Sequence, residues 1–111
     1  MLFIQEENGT QLKKVMKKPY KETKLKKNKV IREFSSKTSS SELEWHLDRE
    51  DRIIEVLENK GRWKIQLDNE LPVLLEDTFF IPKETYHRVI KGDKQSNLII
   101  KITKNPMIFL S

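Results

Sequence analysis

Short β-forming segments, each ended by turn residues, follow one another from Val30 to the end of the chain. In RWKIQLD at 62–68, Trp63, Ile65 and Leu67 alternate with polar residues, as in a strand with one buried face. The same reasoning predicts further strands at VIREFSS, ELEWHL, RIIEVLE, PVLLE, TFFI, YHRVI, NLIIKIT and MIFL. We expect NKG to form a tight turn and KGDKQS a hairpin loop. This close spacing predicts an all-β sandwich or barrel.

Length and composition set narrow limits on the class of protein. The chain has 111 residues, 36% of them hydrophobic and 35% charged, which suits one domain with a compact core. It contains no cysteine, which excludes disulfides, thiolate metal sites and cysteine nucleophiles. The first residues, MLFIQEENGT, are too acidic and too briefly apolar for a signal peptide, and no stretch approaches the length of a membrane span. We therefore expect a cytoplasmic protein with no membrane partner.

The positive charge is concentrated in one segment. Residues 13–37 hold eleven Lys and Arg against two Glu, although the net charge of the chain is only +5. We predict a basic N-terminal extension at 1–29, with a short helix or strand, followed by a β-barrel at 30–111. Such a run attracts phosphate-bearing partners or is simply solvated. Nucleic acid binding is not favoured, because only Tyr20 and Phe34 are nearby for base stacking.

Three side chains form a candidate metal site. His46 and Asp48 are two residues apart, so on a strand they point to the same face. His87 follows in YHRVI and could arrive on a neighbouring strand. Two neutral imidazoles and one carboxylate bind a divalent ion such as Fe, Mn, Zn or Ni and leave positions open for substrate. Hydrogen-bonded polar residues on strands are the alternative.

The segment HLDREDRIIEVLEN resembles the first conserved motif of the cupin superfamily. His46 matches the first histidine of that motif, and Asp48 stands where the second histidine would be. Arg52 occupies the glutamate position, and Asn59 replaces a glycine. Two of the usual metal ligands are therefore changed.

The segment EDTFFIPKETYH resembles the second cupin motif. Pro82 and His87 match, Glu84 replaces a glycine, and Glu76–Asp77 stand for Gly-Asp. The resemblance covers about residues 40 to 103. It implies a cupin-like double-stranded β-helix, or jelly-roll barrel, that holds a small-molecule ligand. It also implies a homodimer, since Phe79–Phe80 places one ring on each face of its strand.

Arg52 leaves the metal hypothesis open. Pointing inward, it could pair with Asp48 and remove the need for a cation. It could instead hold an anionic ligand, with Gln66 and Arg88 at the barrel mouth. A shift by one residue would turn Asp51 inward in its place.

Three functions remain open on this evidence. The protein could be a metal-dependent cupin that binds or acts on a small polar molecule through His46, Asp48 and His87. It could be a metal-free module for anionic ligands, or an interaction protein that uses its basic segment. The order His-x-Asp and then His is also similar to that of iron and 2-oxoglutarate oxygenases. However, Asn97 and Lys101 stand near where an arginine for 2-oxoglutarate would be expected. The sequence does not decide whether the protein is an enzyme.

Overall fold

The protein is all-β in the computed structural model, which describes residues 18–93 and 95–106. Its strands are β1 (Lys21–Lys26), β2 (Lys29–Phe34), β3 (Arg52–Glu58), β4 (Lys64–Leu67), β5 (Val73–Leu74), β6 (Thr78–Ile81), β7 (His87–Ile90) and β8 (Leu98–Lys104). A five-stranded antiparallel sheet has the order β1-β2-β8-β3-β6, and a three-stranded sheet has the order β5-β4-β7.

The core lies between the two sheets and follows the alternation of the sequence. On β8, Leu98, Ile100 and Ile102 are buried, and the intervening residues are only half-buried. Trp63 and Ile65 enter from the smaller sheet and are almost fully covered. Each such side chain contributes about 1.5–3 kcal/mol when it leaves water. The remaining buried apolar residues are Val30, Phe34, Leu43, Ile54, Leu75 and Ile81.

Most of the predicted strands are confirmed, and RIIEVLE is β3 without change. The prediction of a strand at ELEWHL is wrong. A 3-10 turn covers Ser40–Glu42, and His46 makes only an isolated bridge. The Ser39 hydroxyl and the Glu42 carboxylate cap each other's backbone, so this local structure replaces strand pairing. MIFL lies outside the described residues.

Two connections differ from the expected turns because they cross between the sheets. The NKG segment joins β3 to β4, and KGDKQS joins β7 to β8, so neither closes a hairpin. Positive φ falls on Arg62 (φ 61) rather than on Gly61. Gly61 and Gly92 instead allow the two crossings to touch, since a Cβ on Gly92 would overlap the Gly61 carbonyl oxygen.

Part of the basic segment belongs to the sheet. β1 is an edge strand, and all six of its residues are exposed. Exposed lysines on an edge strand hinder pairing with other chains. Residues 1–17 lie outside the description, and the division at residue 30 stays a prediction. Within residues 18–93 and 95–106, no helix is long and apolar enough to cross a membrane.

Candidate metal centre

Backbone hydrogen bonds bring the three predicted ligands together. His46 N donates to His87 O at 3.0 Å, and His87 N donates to His46 O at 2.9 Å. This pair joins the segment after the 3-10 turn to β7. The carbonyl oxygen of Asp48 accepts from Glu84 N at 2.6 Å, which fixes Asp48 against the turn before β7. One ligand atom from each of His46, Asp48 and His87 lies within 4.8 Å of the others.

Both imidazoles present the same nitrogen to the centre of this group. His46 Nδ1 lies 3.1 Å from Glu44 O, and His87 Nδ1 lies 2.8 Å from Thr85 O. A carbonyl oxygen only accepts, so Nδ1 carries the hydrogen in each ring. In its neutral form, each ring then offers the lone pair of Nε2. Anchoring through a backbone carbonyl is the usual arrangement for metal-ligating histidines.

Asp48 supplies a buried oxygen that lacks a hydrogen bond. Its Oδ2 lies 3.4 Å from His87 Nε2, which is too long for a good hydrogen bond, and no other described residue donates to it. Burial alone would raise the pKa of Asp48, but the contact with His87 and the positive charge of Arg52 outweigh it and lower that pKa. The carboxylate is therefore ionised. Either a hydrogen on His87 Nε2 or a bound cation can occupy the space between this oxygen and the imidazole.

His46 favours its neutral form. Its ring lies against that of His87, with centroids 4.3 Å apart, although the residue as a whole is exposed. Loss of hydration lowers the pKa of His46, and the neighbouring His87 adds to this effect against the opposing contact with Glu44. A neutral imidazole is the form that binds metals.

Arg52 points inward, and two carboxylates share it. Its Nε and Nη2 donate to Glu50 Oε2 at 3.1 and 2.8 Å, while Nη2 lies 3.2 Å from Asp48 Oδ1. The expected pairing with Asp48 is present, but it uses Oδ1 and leaves Oδ2 open. Asp51 does not turn inward, because its side chain accepts from Lys83 N at 2.8 Å.

The three ligands line a cavity of about 300 Å³ between the sheets. That volume is at the lower end of the range for small-molecule sites. Arg52, which the sequence analysis named, also lines the cavity. Arg32, Tyr20 and Trp45 line it as well, and the sequence analysis did not identify them as site residues. One signal was available for Arg32, since it falls between Val30 and Phe34 at an inward position of β2.

Gln66 and Arg88 lie outside this cavity. They pair across β4 and β7 on the face opposite to Ile65 and His87, and Arg88 Nε donates to Gln66 Oε1 at 3.0 Å. The Arg88 guanidinium lies 4.8 Å from the ring centroid of Trp45. They therefore lie on the outer face of the strands that form one cavity wall. Their direct role in ligand binding stays a prediction.

The candidates for the distal carboxylate of 2-oxoglutarate are engaged elsewhere. Asn97 binds Glu33 and the backbone of Ser36. Lys101 pairs with Glu55 at 3.4 Å on the outer face of the larger sheet. Neither lines the cavity, so the arrangement does not support that cosubstrate.

Comparison with solved structures identifies the architecture. An RmlC-like cupin from Shewanella frigidimarina is 19% identical over 75% of this chain and 69% of its own, with a TM-score of 0.51. A proposed mannose-6-phosphate isomerase from Ralstonia eutropha is 17% identical over 78% and 82%, with a TM-score of 0.59. KdgF from Halomonas sp. is 18% identical over 83% of both chains, with a TM-score of 0.55. No family model and no curated protein matches the sequence. The chain therefore has the cupin fold.

Proposed function

We propose that the protein binds one divalent metal ion through His46 Nε2, His87 Nε2 and Asp48 Oδ2, and that it binds or acts on a small polar molecule in the adjoining cavity. The supporting observation is the buried Oδ2, which has no hydrogen-bond partner among the described residues and lies 3.4 Å from His87 Nε2. A bound cation would give that oxygen a partner. Fe, Mn, Zn and Ni all accept two imidazoles and one carboxylate.

The residues around the ligands have separate tasks. Glu44 and Thr85 hold the imidazole rings through their carbonyl oxygens, which fixes the tautomer and the direction of each Nε2. Arg52 holds Oδ1 of Asp48 and thereby turns Oδ2 towards the histidines. When bound, the ion would supply a Lewis acid next to the cavity that the three ligands line. The choice between a binding protein and an enzyme depends on the molecule in that cavity.

A metal-free module for anionic ligands is the second candidate, and the pairing of Arg52 with Asp48 favours it. A guanidinium beside the ligand set could stand in for a cation. Against this, Glu50 already takes two hydrogen bonds from Arg52. Arg52 therefore already pairs with two carboxylates, which makes it less suited to binding a further anion.

Titration of chelator-treated protein with Mn²⁺ and Zn²⁺ tests the metal proposal. We expect saturation at one ion per chain and a higher Tm. Asp48→Ala should lose both effects. Glu44→Gln is a matched control, because Glu44 lines the same cavity but contributes only its carbonyl oxygen to the site. Equal metal uptake by Asp48→Ala and the parent protein would reject the proposal.

We also propose that the protein is a homodimer. Phe80 is 49% exposed on the outer face of β6, and Leu57 on β3 is 53% exposed on the same sheet. Exposed apolar side chains of this kind are candidates for contact with a partner chain. The molar mass in solution should be that of two chains and should fall to one chain in Phe80→Ser. Localisation in the cytoplasm and contacts through the basic segment stay predictions.

A further inference from the structure

Arg32 is a cation inside the cavity and away from the proposed metal ligands. It lies on β2 between the buried residues Val30 and Phe34, and its side chain is only 12% exposed. β8 separates β2 from β3, so the strands that carry Arg32 and Arg52 are about 10 Å apart. A guanidinium at an inward strand position costs free energy unless it is paired or used. Glu22 offsets part of this cost through Nε of Arg32, and the rest depends on the terminal nitrogens of the guanidinium.

Two contacts fix the direction of Arg32. Its Nε donates to Glu22 Oε1 at 2.7 Å, across the β1–β2 pair. Its guanidinium lies 4.1 Å from the ring centroid of Tyr20. Glu22 thus holds the Nε edge of the guanidinium, and Tyr20 covers one of its faces. Within residues 18–93 and 95–106 the terminal nitrogens Nη1 and Nη2 donate no hydrogen bond, and Arg32 lines the cavity.

The two cavity arginines differ in how far their charge is satisfied. Arg52 bonds to Glu50 twice and contacts Asp48. Arg32 has Glu22 alone, bound through Nε. The edge formed by Nη1 and Nη2 of Arg32 can therefore accept a planar anion in a bidentate arrangement. The acidic residue Glu42 also lines the cavity, but its carboxylate is occupied with Ser39 N at 3.2 Å.

We propose that the natural ligand is a small monocarboxylic acid whose carboxylate binds the Nη1–Nη2 edge of Arg32 while its other end reaches the His46–Asp48–His87 group. This inference rests on the proposed function for the role of that other end. We take a carboxylate as the anion, because its two coplanar oxygens match the single free Nη1–Nη2 edge of one guanidinium. Arg32 thus specifies the class of ligand.

The walls between the two ends describe the body of the ligand. Phe34, Ile54, Ile100 and Ile102 line the cavity from the larger sheet, and Val89 lines it from the smaller one. Such walls suit a short carbon chain with few polar groups. With a cavity of about 300 Å³, we expect a chain of a few carbon atoms that carries one oxygen for the metal.

Ligand titration of the 111-residue chain tests this inference with 3-hydroxybutanoate, its uncharged amide and propyl phosphate as probes. Binding is followed by the shift in Tm and by NMR, with and without Mn²⁺. The carboxylate should bind most tightly of the three. Arg32→Gln should weaken it roughly 10- to 100-fold, as expected for loss of a charged hydrogen-bonding partner. Lys64→Gln is the control, because Lys64 is an exposed cation on the outer face of β4.

Additional variants keep the test decisive. If Arg32→Gln fails to fold, the double variant Glu22→Gln/Arg32→Gln removes both members of the pair and leaves no unpaired carboxylate. Arg32→Lys keeps the positive charge but loses the planar pair of terminal N–H donors. It should therefore bind the carboxylate less well than the parent protein. Mn²⁺ affinity should stay unchanged in every Arg32 variant.

The outcomes separate this inference from the proposed function. Carboxylate binding that depends on Arg32 in a protein that takes up no metal would support the inference and reject the metal proposal. Metal uptake with carboxylate binding unaffected by Arg32→Gln would reject the inference alone. Equal binding of the acid and its amide, or tighter binding of propyl phosphate, would also overturn it.

Discussion

At the scale of single residues, the site depends on how charge is shared between Asp48, Arg52 and Glu50. Arg52 binds both carboxylates with one guanidinium and is nearly buried. An arrangement of this kind stabilises the fold little, but it is costly to break, because each remaining carboxylate loses its partner. It also keeps Asp48 ionised beside two histidines.

Arg52→Gln should therefore destabilise the protein by about 2 kcal/mol in the absence of metal. The reason is that Asp48 and Glu50 then lie close together with no cation between them. Urea unfolding at neutral pH measures the change. Adding Glu50→Gln should restore part of the loss, and independent, additive effects of the two substitutions would contradict the shared-charge account.

The pH dependence of stability gives a second prediction for the metal-free protein. His46 has a pKa lowered from 6.5 and Asp48 a pKa lowered from 3.8, so both bind protons more weakly in the folded chain than in the unfolded one. Their stabilising contributions are complete above those values and are lost as the pH falls below them. We expect the urea midpoint to decrease in two stages, below about pH 6.5 and below about pH 3.8.

His46→Gln should remove the first stage, and Asp48→Asn should reduce the second. Glu22 also has a lowered pKa, since its contact with Arg32 outweighs the effect of burial, and its contribution should remain in both variants. A pH profile that neither substitution alters would contradict the assigned shifts.

The ligands themselves could be predicted from the sequence, but the role of the arginines could not. The spacing of His46 and Asp48, with His87 in a second motif, was sufficient to predict the group that the structure brings within 4.8 Å. Arg32 was missed because a charged residue on a strand is usually on the surface. Only its position between Val30 and Phe34 distinguished it.

At the scale of elements, the turn before β7 carries strain that positions the site. Glu84 stands where the second cupin motif has glycine, and its φ is 56. This is the left-handed region, which residues with a Cβ adopt at a cost of about 1–2 kcal/mol. The same residue donates its N–H to Asp48 O. The turn therefore has a backbone conformation that favours glycine, with glutamate in that position.

Glu84→Gly should raise the free energy of unfolding by up to about 1 kcal/mol, because relief of the strain exceeds the added flexibility of the unfolded chain. Thermal unfolding measures the change. Lys83→Gly is the matched control in the same turn, since Lys83 does not have positive φ, and it should destabilise. Destabilisation by Glu84→Gly equal to that of Lys83→Gly would contradict this account.

Strands could be predicted where one face of the strand is buried. They could not be predicted where side-chain hydrogen bonds fix the backbone in another conformation. The alternation in RWKIQLD and the apolar run in RIIEVLE reflect packing against the core, so both strands were confirmed. ELEWHL also alternates, but the cap between Ser39 and Glu42 precedes it and only His46 joins the sheet. Local side-chain hydrogen bonds compete with strand pairing in a way that alternation does not reveal.

At the scale of the whole molecule, two crossings tie the sheets together at Gly61 and Gly92. The connections from β3 to β4 and from β7 to β8 meet there, backbone against backbone. The sequence did not reveal this, because the same turn residues occur in hairpins and in crossings between sheets. The fold class followed from the strand pattern and the motifs, whereas the partner sheet of each strand did not.

Gly92→Ala should therefore be among the most damaging small substitutions, with a loss of about 3 kcal/mol, because the new methyl group cannot fit without separating the two crossings. Gly61→Ala is the control. Its Cβ would lie 3.0 Å from Trp63 Nε1 and 3.1 Å from Ser96 O, contacts that a small shift relieves. Denaturant unfolding of both variants measures the difference, and equal losses would argue against a backbone contact at Gly92.

The measurement that tests the central claim most directly is elemental analysis of freshly purified protein, prepared without chelators or a metal-affinity tag, beside Asp48→Ala. The proposed His46–Asp48–His87 centre predicts close to one iron, manganese, zinc or nickel per chain and a large decrease in the variant. Absence of metal from the parent protein, even after anaerobic addition of Fe²⁺, would contradict it. That result would instead favour a metal-free cupin-fold protein in which Arg52 alone balances Asp48.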